Sequence, residues 1–347
     1  MRAAAFTLAL VAVSALAPSL GAPEATNRDQ SGYTELHEKG FPVRVGPPSV
    51  PAAEARLRDD EIVIGVVAGG AARAYPVNLM WKPENEVLND TLGGKAVAAT
   101  WCPIAHSAVV YDRTPEGLEL GAIGLEKGVF ILYDRQTGSW WSQVTGRGVR
   151  GTGLGHSLTK RPSTLTTWGL WRRLHPGTTV FVDPSLPGRR RFTEESLSRI
   201  TQAGGGPVLN EDLVVAVEGA SNSRAYLLRR LAQEHLVNDV VDGTPIVVLL
   251  AEDGVTARVL QRTGGGRILT FAPLAGDRLK DAETGSTWDA LTGRATAGPL
   301  AGQELGEMVF TSALWYAWRS HRPGTTLWGE PPPQDGRSAR PPTVPPQ

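Results

Sequence analysis

Cys102 is the single cysteine among 347 residues, and it stands four positions before His106 in Thr100-Trp101-Cys102-Pro103-Ile104-Ala105-His106-Ser107. A thiolate and an imidazole are the ligands that zinc and copper favour, and a Cys-x-x-x-His spacing in a turn can set both on one ion. His156, Asp134 or a water would complete the shell. The same pair suits nucleophilic chemistry, because the thiolate is the reactive form and an adjacent imidazolium lowers its pKa. Cys102 would then be the nucleophile and His106 or His156 the base. Against both stands a packing role, with Cys102 a small buried residue at a strand end and His106 a turn residue, since free cysteine is among the most buried residue types. Trp140, with Asp134 nearby in sequence, adds a candidate wall for a cofactor or ligand cleft. Three readings therefore stay open: a binding protein for a soft or borderline metal ion or a thiol-reactive small ligand, a cysteine-dependent enzyme, and a structural protein with no active site.

The elements that must position these residues recur along the chain. Arg73-Ala74-Tyr75 returns as Arg224-Ala225-Tyr226, and Asn89-Asp90 as Asn238-Asp239. Gly94 to Arg113 runs without a gap against Gly243 to Arg262. Asp134-x-x-Thr137-Gly138-Ser139-x-Trp141 matches Asp281-x-x-Thr284-Gly285-Ser286-x-Trp288, and Trp168-x-x-Trp171 matches Trp315-x-x-Trp318. Pro176-Gly177-Thr178-Thr179 closes the pattern against Pro323-Gly324-Thr325-Thr326. The order is kept throughout, which predicts two tandem, diverged copies of one domain. The expected boundaries are 54–183 and 208–330, with an N-terminal arm at 22–53 and a linker at 184–207 that carries a short polar helix at 194–201. Cys102 faces Ala251, His106 faces Val255, His156 faces Gln303 and Trp140 faces Thr287 across this repeat, so the distinctive chemistry lies in the first copy.

Within each copy, short β-rich runs are bounded by turn formers. The first has 61–67, 96–100, 108–111 and 130–133. Ser163 or Thr164 is expected to cap a late helix whose Trp168, Trp171 and Leu174 share a face. The predicted class is α+β and β-rich, with short strands and one late helix per copy. Asp134 and Thr137 are spaced for an Asx or ST turn, the Trp168 and Trp171 pair reads as core, and Gly151-x-Gly153-x-Gly155 reads as a bend between strands.

The run from Thr100 to Ala108 with Tyr111-Asp112-Arg113, the segment Tyr133 to Gln143, the glycine spacing from Gly146 to Leu158 and the preceding Asn89-Asp90 together resemble the bacterial domain-of-unknown-function family 3179. The resemblance covers the first copy and, more faintly, the second. It implies an uncharacterised exported protein and no defined activity. The family pattern places a second cysteine or a threonine where this chain has Ala105, so a dithiol site is ruled out here.

The ends and the charge balance bound the remaining classes. Met1-Arg2, an apolar stretch from Ala3 to Ala17 and small residues to Gly21 read as a signal peptide at 1–21, which predicts a periplasmic or extracellular protein without stable membrane insertion. Lone Cys102 then faces an oxidising compartment, where no internal disulfide can form. Lys plus Arg equals Asp plus Glu at 35 each, with no basic stripe, so a nucleic-acid partner is not expected. The proline-rich 331–347 tail is expected to be disordered. A small ligand or a metal ion, zinc or copper, remains the partner class.

Overall fold

Strands dominate the computed structural model, which describes residues 27–28, 33–186 and 208–330. The expected signal segment, nearly all of the linker with its helix, and the tail lie outside these residues. Each strand expected in the first half is present with shifted ends, at Ile62–Ala68, Lys95–Cys102, Ser107–Asp112 and Val129–Asp134. Three α-helices occur among the described residues: α1 (Trp168–Leu174), α2 (Leu228–Glu234) and α3 (Trp315–His321). The β-rich α+β class follows directly.

Two local expectations need correction. The cap of α1 is neither Ser163 nor Thr164 but Thr167, whose hydroxyl accepts from the Leu170 amide at 3.4 Å. Thr164–Thr167 stays extended because it pairs antiparallel with Gly65 to Ile62, and a β-branched, threonine-rich run gains more from that ladder than from starting a helix. The second half carries an additional helix, α2, where the first has the 3-10 turn Val77–Leu79. The glycine bend takes its expected form: a Cβ on Gly148 would lie 1.9 Å from the Gly153 carbonyl oxygen, so only bare backbone lets those segments meet.

Each half contributes a three-stranded meander and a four-stranded unit. The meanders are Val87–Leu92, Lys95–Cys102 and Ser107–Asp112 in the first half, and Leu236–Val241, Thr244–Leu250 and Ala257–Gln261 in the second. The first unit orders Thr164–Thr167, Ile62–Ala68, Ala71–Pro76 and Thr179–Phe181, with the last pair parallel. The second orders Thr311–Leu314, Leu213–Glu218, Ser223–Leu227 and Thr326–Leu327, again with the last pair parallel.

The units cross between halves. Thr311–Leu314 of the second unit pairs with the first meander, Ser312 opposite Ala108, so one nine-stranded sheet takes strands from both halves. In the other direction, the Thr256 hydroxyl donates to Thr166 at 2.8 Å and Arg258 donates to Thr164 at 3.0 Å. The cores are shared accordingly. One packs Ile62, Tyr75, Leu88 and Trp101 with Val215, Tyr226 and Val248; another packs Cys102, Ala105 and Leu132 with Val214, Trp315 and Trp318.

Positions matched in sequence make matching bonds. The Tyr75 and Tyr226 hydroxyls each donate to an aspartate, Asp90 and Asp239, at 2.8 Å. Asn89 exchanges two hydrogen bonds with the backbone of Leu120, and Asn238 does the same with Phe271. Trp171 and Trp318 donate to Thr178 and Thr325 at 2.9 and 2.8 Å, and both rings are core, as expected.

Candidate functional site

Cys102 ends its strand facing inward and is 0% exposed, within the apolar cluster that also holds Ala105, Val109, Leu132 and Ala317. Burial pushes its thiol up to about 11, and the Glu86 carboxyl adds to the rise, against smaller opposing effects from backbone hydrogen bonds. His106 is the last residue of the four-residue connection to Ser107 and takes a left-handed φ of 45°, a conformation histidine adopts more readily than most residues. Its ring stacks on Trp101 at 6.1 Å, and burial lowers its pKa to about 4. A catalytic pair needs a lowered thiol beside a protonated imidazole. Here both shifts run the opposite way.

His156 lies in an exposed turn, held through its backbone by Gly153 and Gly148. Among the described residues, no three His, Cys, Asp or Glu side chains gather as a metal site. The structure therefore does not bring Cys102, His106 and His156 together as ligands. Asp134, the other candidate, is wholly buried and accepts from the Thr137 amide at 2.6 Å, the Thr137 hydroxyl at 2.8 Å and the Trp141 indole at 3.0 Å. This is the expected Asx-type turn with an indole added, and Asp281 accepts the same bonds from Thr284 and Trp288.

The ground around Cys102 is filled. Gln143 donates to the Thr100 hydroxyl at 2.9 Å and accepts from the Ser107 hydroxyl at 2.7 Å. From the other half, the Tyr316 hydroxyl of α3 reaches the carbonyls of Ile104 and Gly128, both at 3.3 Å. Glu86 is 4% exposed, and one of its carboxyl oxygens has no hydrogen-bond partner. Burial, helped by nearby Glu84, raises its pKa to about 9, so the acid is neutral at pH 7.

Trp140 sits elsewhere, in an open cleft of about 570 Å³ lined with Glu38, Lys39, Tyr133, Arg135 and Arg150 among others. The Arg150 guanidinium lies 4.5 Å over the Trp140 ring, and the Tyr33 ring meets Trp140 edge-on at 6.0 Å. Arg135 is paired with Glu119. The Tyr133 hydroxyl donates to the Phe41 carbonyl at 2.8 Å, and its ring lies so close that a Cβ on Gly40, where φ is +74°, would fall 2.2 Å from it. At the positions matched in sequence between the halves, Tyr133, Arg135, Trp140 and Arg150 correspond to Lys280, Ala282, Thr287 and Ala297. Sequence reasoning singled out Trp140 and Asp134, and both line this cleft. Arg135 and Arg150 were visible in the same comparison, whereas Lys39 lies ahead of the matched segments and carried no signal.

The family described as "Protein of unknown function (DUF3179)" matches residues 39–326. The chain belongs to this family. No curated protein and no solved structure matches. The match runs through both halves, from the Lys39 side of the cleft to the last parallel strand. In this DUF3179 protein Ala105 is 0% exposed and its carbonyl accepts from the Leu314 amide at 2.8 Å, so a small residue there lets the second unit dock on the first meander. The equivalent ground in the second half is emptier. Leu249 and Ala290 stand in place of Thr100 and Gln143, and both line a cavity of about 240 Å³ with His235, Glu252 and Asp277. Ala251, in place of Cys102, packs with Leu170 of α1 and Leu291.

Proposed function

We propose that this DUF3179 protein is an exported binding protein, periplasmic or extracellular, that takes a small ligand in the Trp140 cleft of its first half. The second half is a diverged copy that completes the fold and has lost the cleft's side chains. The observation that carries the reading is Arg150 lying 4.5 Å over the Trp140 ring, both in the lining of a cleft of about 570 Å³, because small-molecule sites are concave and combine aromatic walls with a few polar groups. Matching bonds at Asp90 and Asp239, and at Asp134 and Asp281, support the duplication. The N-terminal sequence pattern supports export, and no helix among the described residues is long and apolar enough to cross a membrane. The metal and thiol readings of Cys102 and His106 draw no support from a buried thiol whose pKa is raised.

A thermal-shift screen of small acids, amines and neutral sugars at millimolar concentration tests the proposal on the wild type and on Trp140→Ala. The expected result is a set of stabilising compounds whose effect disappears in the variant. Stabilisation by none, or equally in both proteins, would reject the cleft as the site.

A further inference from the structure

We infer that the ligand of this cleft is an anion carried on a flat ring, an inference that rests on the cleft being the binding site. The ring contact orients the Arg150 guanidinium, and none of its N–H groups makes a hydrogen bond or ion pair among the described residues. A guanidinium packed over an aromatic ring with its N–H groups unspent has donors to offer, and its planar fork matches the two oxygens of a carboxylate or phosphate.

The charges facing the cleft agree. Lys39 lines it and has no ion pair among the described residues, whereas Arg135 is already neutralised by Glu119. Of the two acids on the wall, Asp134 spends its oxygens on Thr137 and Trp141, leaving Glu38 as the acid with uncommitted oxygens. Lys39 and Arg150 are thus the cations of the lining without an ion pair among the described residues, beside Glu38 and an Asp134 whose oxygens are taken by neutral donors. The rest of the lining includes the Tyr133 and Trp140 rings and Ile123, which suits a flat apolar body better than a small hydrated ion. The Tyr133 hydroxyl is bound to Phe41, so it does not compete for the anion.

The second half supplies the counterexample. Thr287 and Ala297 replace Trp140 and Arg150, so platform and fork were lost together. Paired loss is what a two-part recognition element predicts.

Calorimetric titration with 2-naphthoate, with the neutral 2-naphthamide and with inorganic phosphate separates the components. Four proteins are compared, the wild type, Trp140→Ala, Arg150→Ala and Arg150→Lys, each at low and high salt. The expected result is that 2-naphthoate binds, that the amide and phosphate each bind at least tenfold more weakly, and that Arg150→Ala loses about tenfold in affinity. Arg150→Lys should not restore it, because a point charge lacks the fork, and added salt should weaken 2-naphthoate more than the amide. If acid and amide bind equally and both need Trp140, the anion inference falls while the cleft reading stands. Phosphate binding as tightly as 2-naphthoate overturns the flat ring. Binding of 2-naphthoate unchanged in both Arg150→Ala and Trp140→Ala overturns the inference and the cleft together.

Discussion

The surroundings of Cys102 and of Ala251, two positions matched in sequence between the halves, are filled in different ways. In the first half Gln143 hydrogen-bonds Thr100 and Ser107, and Tyr316 from the opposite half bonds the Ile104 carbonyl. In the second, Leu249 and Ala290 leave a cavity of about 240 Å³. Cys102 and Ala317 share one cluster, while Ala251 and Leu170 share another, so a larger residue on the meander goes with a smaller one on the helix, and the reverse. That exchange of volume is how tightly packed interiors conserve their fill. Cys102 is thus buried among apolar side chains, and the two halves also differ at Trp140 and Arg150, where Thr287 and Ala297 stand.

Changes at equivalent positions can break or sharpen this comparison. The largest effect is expected at the shared hub: Asp134→Ala and Asp281→Ala should each cost roughly 2–5 kcal/mol in guanidinium unfolding, because each strands a buried indole N–H and a threonine turn. Unequal costs would mean that the two turns do different jobs. Next comes Glu86, whose carbonyl accepts from the Trp101 amide as that of His235 does from Leu250. With a folded pKa of about 9 against a normal carboxylate value, the stability that depends on the neutral acid is complete below the normal pKa and is lost as pH rises toward 9. Glu86→Gln should therefore melt several degrees above the wild type at pH 9, with the gap closing by pH 5. A gap independent of pH would show that the acid is already ionised in the fold.

Smaller effects follow at the swapped volumes. Cys102→Ala should lose about 1–2 kcal/mol through a cavity, and Ala251→Cys a similar amount through crowding against Leu170. Native Cys102 should also resist iodoacetamide until the protein unfolds; rapid labelling at pH 8 would return the thiol to candidacy as a reactive group. Smallest of all, Ala290→Leu should gain about 0.5–1 kcal/mol by filling the second-half cavity, and a loss would show that the space is already occupied.

Much of this fold was legible in sequence because its signals are local. The β-rich run 130–133, bounded by turn formers, marked Val129–Asp134, and the Asp134-x-x-Thr137 spacing marked its turn. The crossing of the units was not legible, because Ser312 opposite Ala108 is a pairing that no local pattern encodes. The cap of α1 was misplaced for a related reason: Thr164 has the chemistry of a cap, and only its strand partner Gly65 shows that it is spent on a sheet. At the candidate site, residue type made Cys102 and His106 conspicuous, but burial decided their chemistry. Arg150 was overlooked because an arginine ten positions from a tryptophan looks like ordinary surface until the hairpin brings them face to face.

The crossing of the units also sets an order of events in folding. Thr159–Arg161 pairs with the Asp112 end of Ser107–Asp112, but the Ala108 end meets its partner only when a segment roughly two hundred residues further along the chain has been made, since Ser312 pairs with Ala108. Such distant pairing raises contact order and slows folding. Until then the Ala108 end of Ser107–Asp112 is an open sheet edge, available to any passing strand. A chain cut before Thr311 would lack the strand that pairs with that edge, and it is expected to aggregate more readily than the full chain.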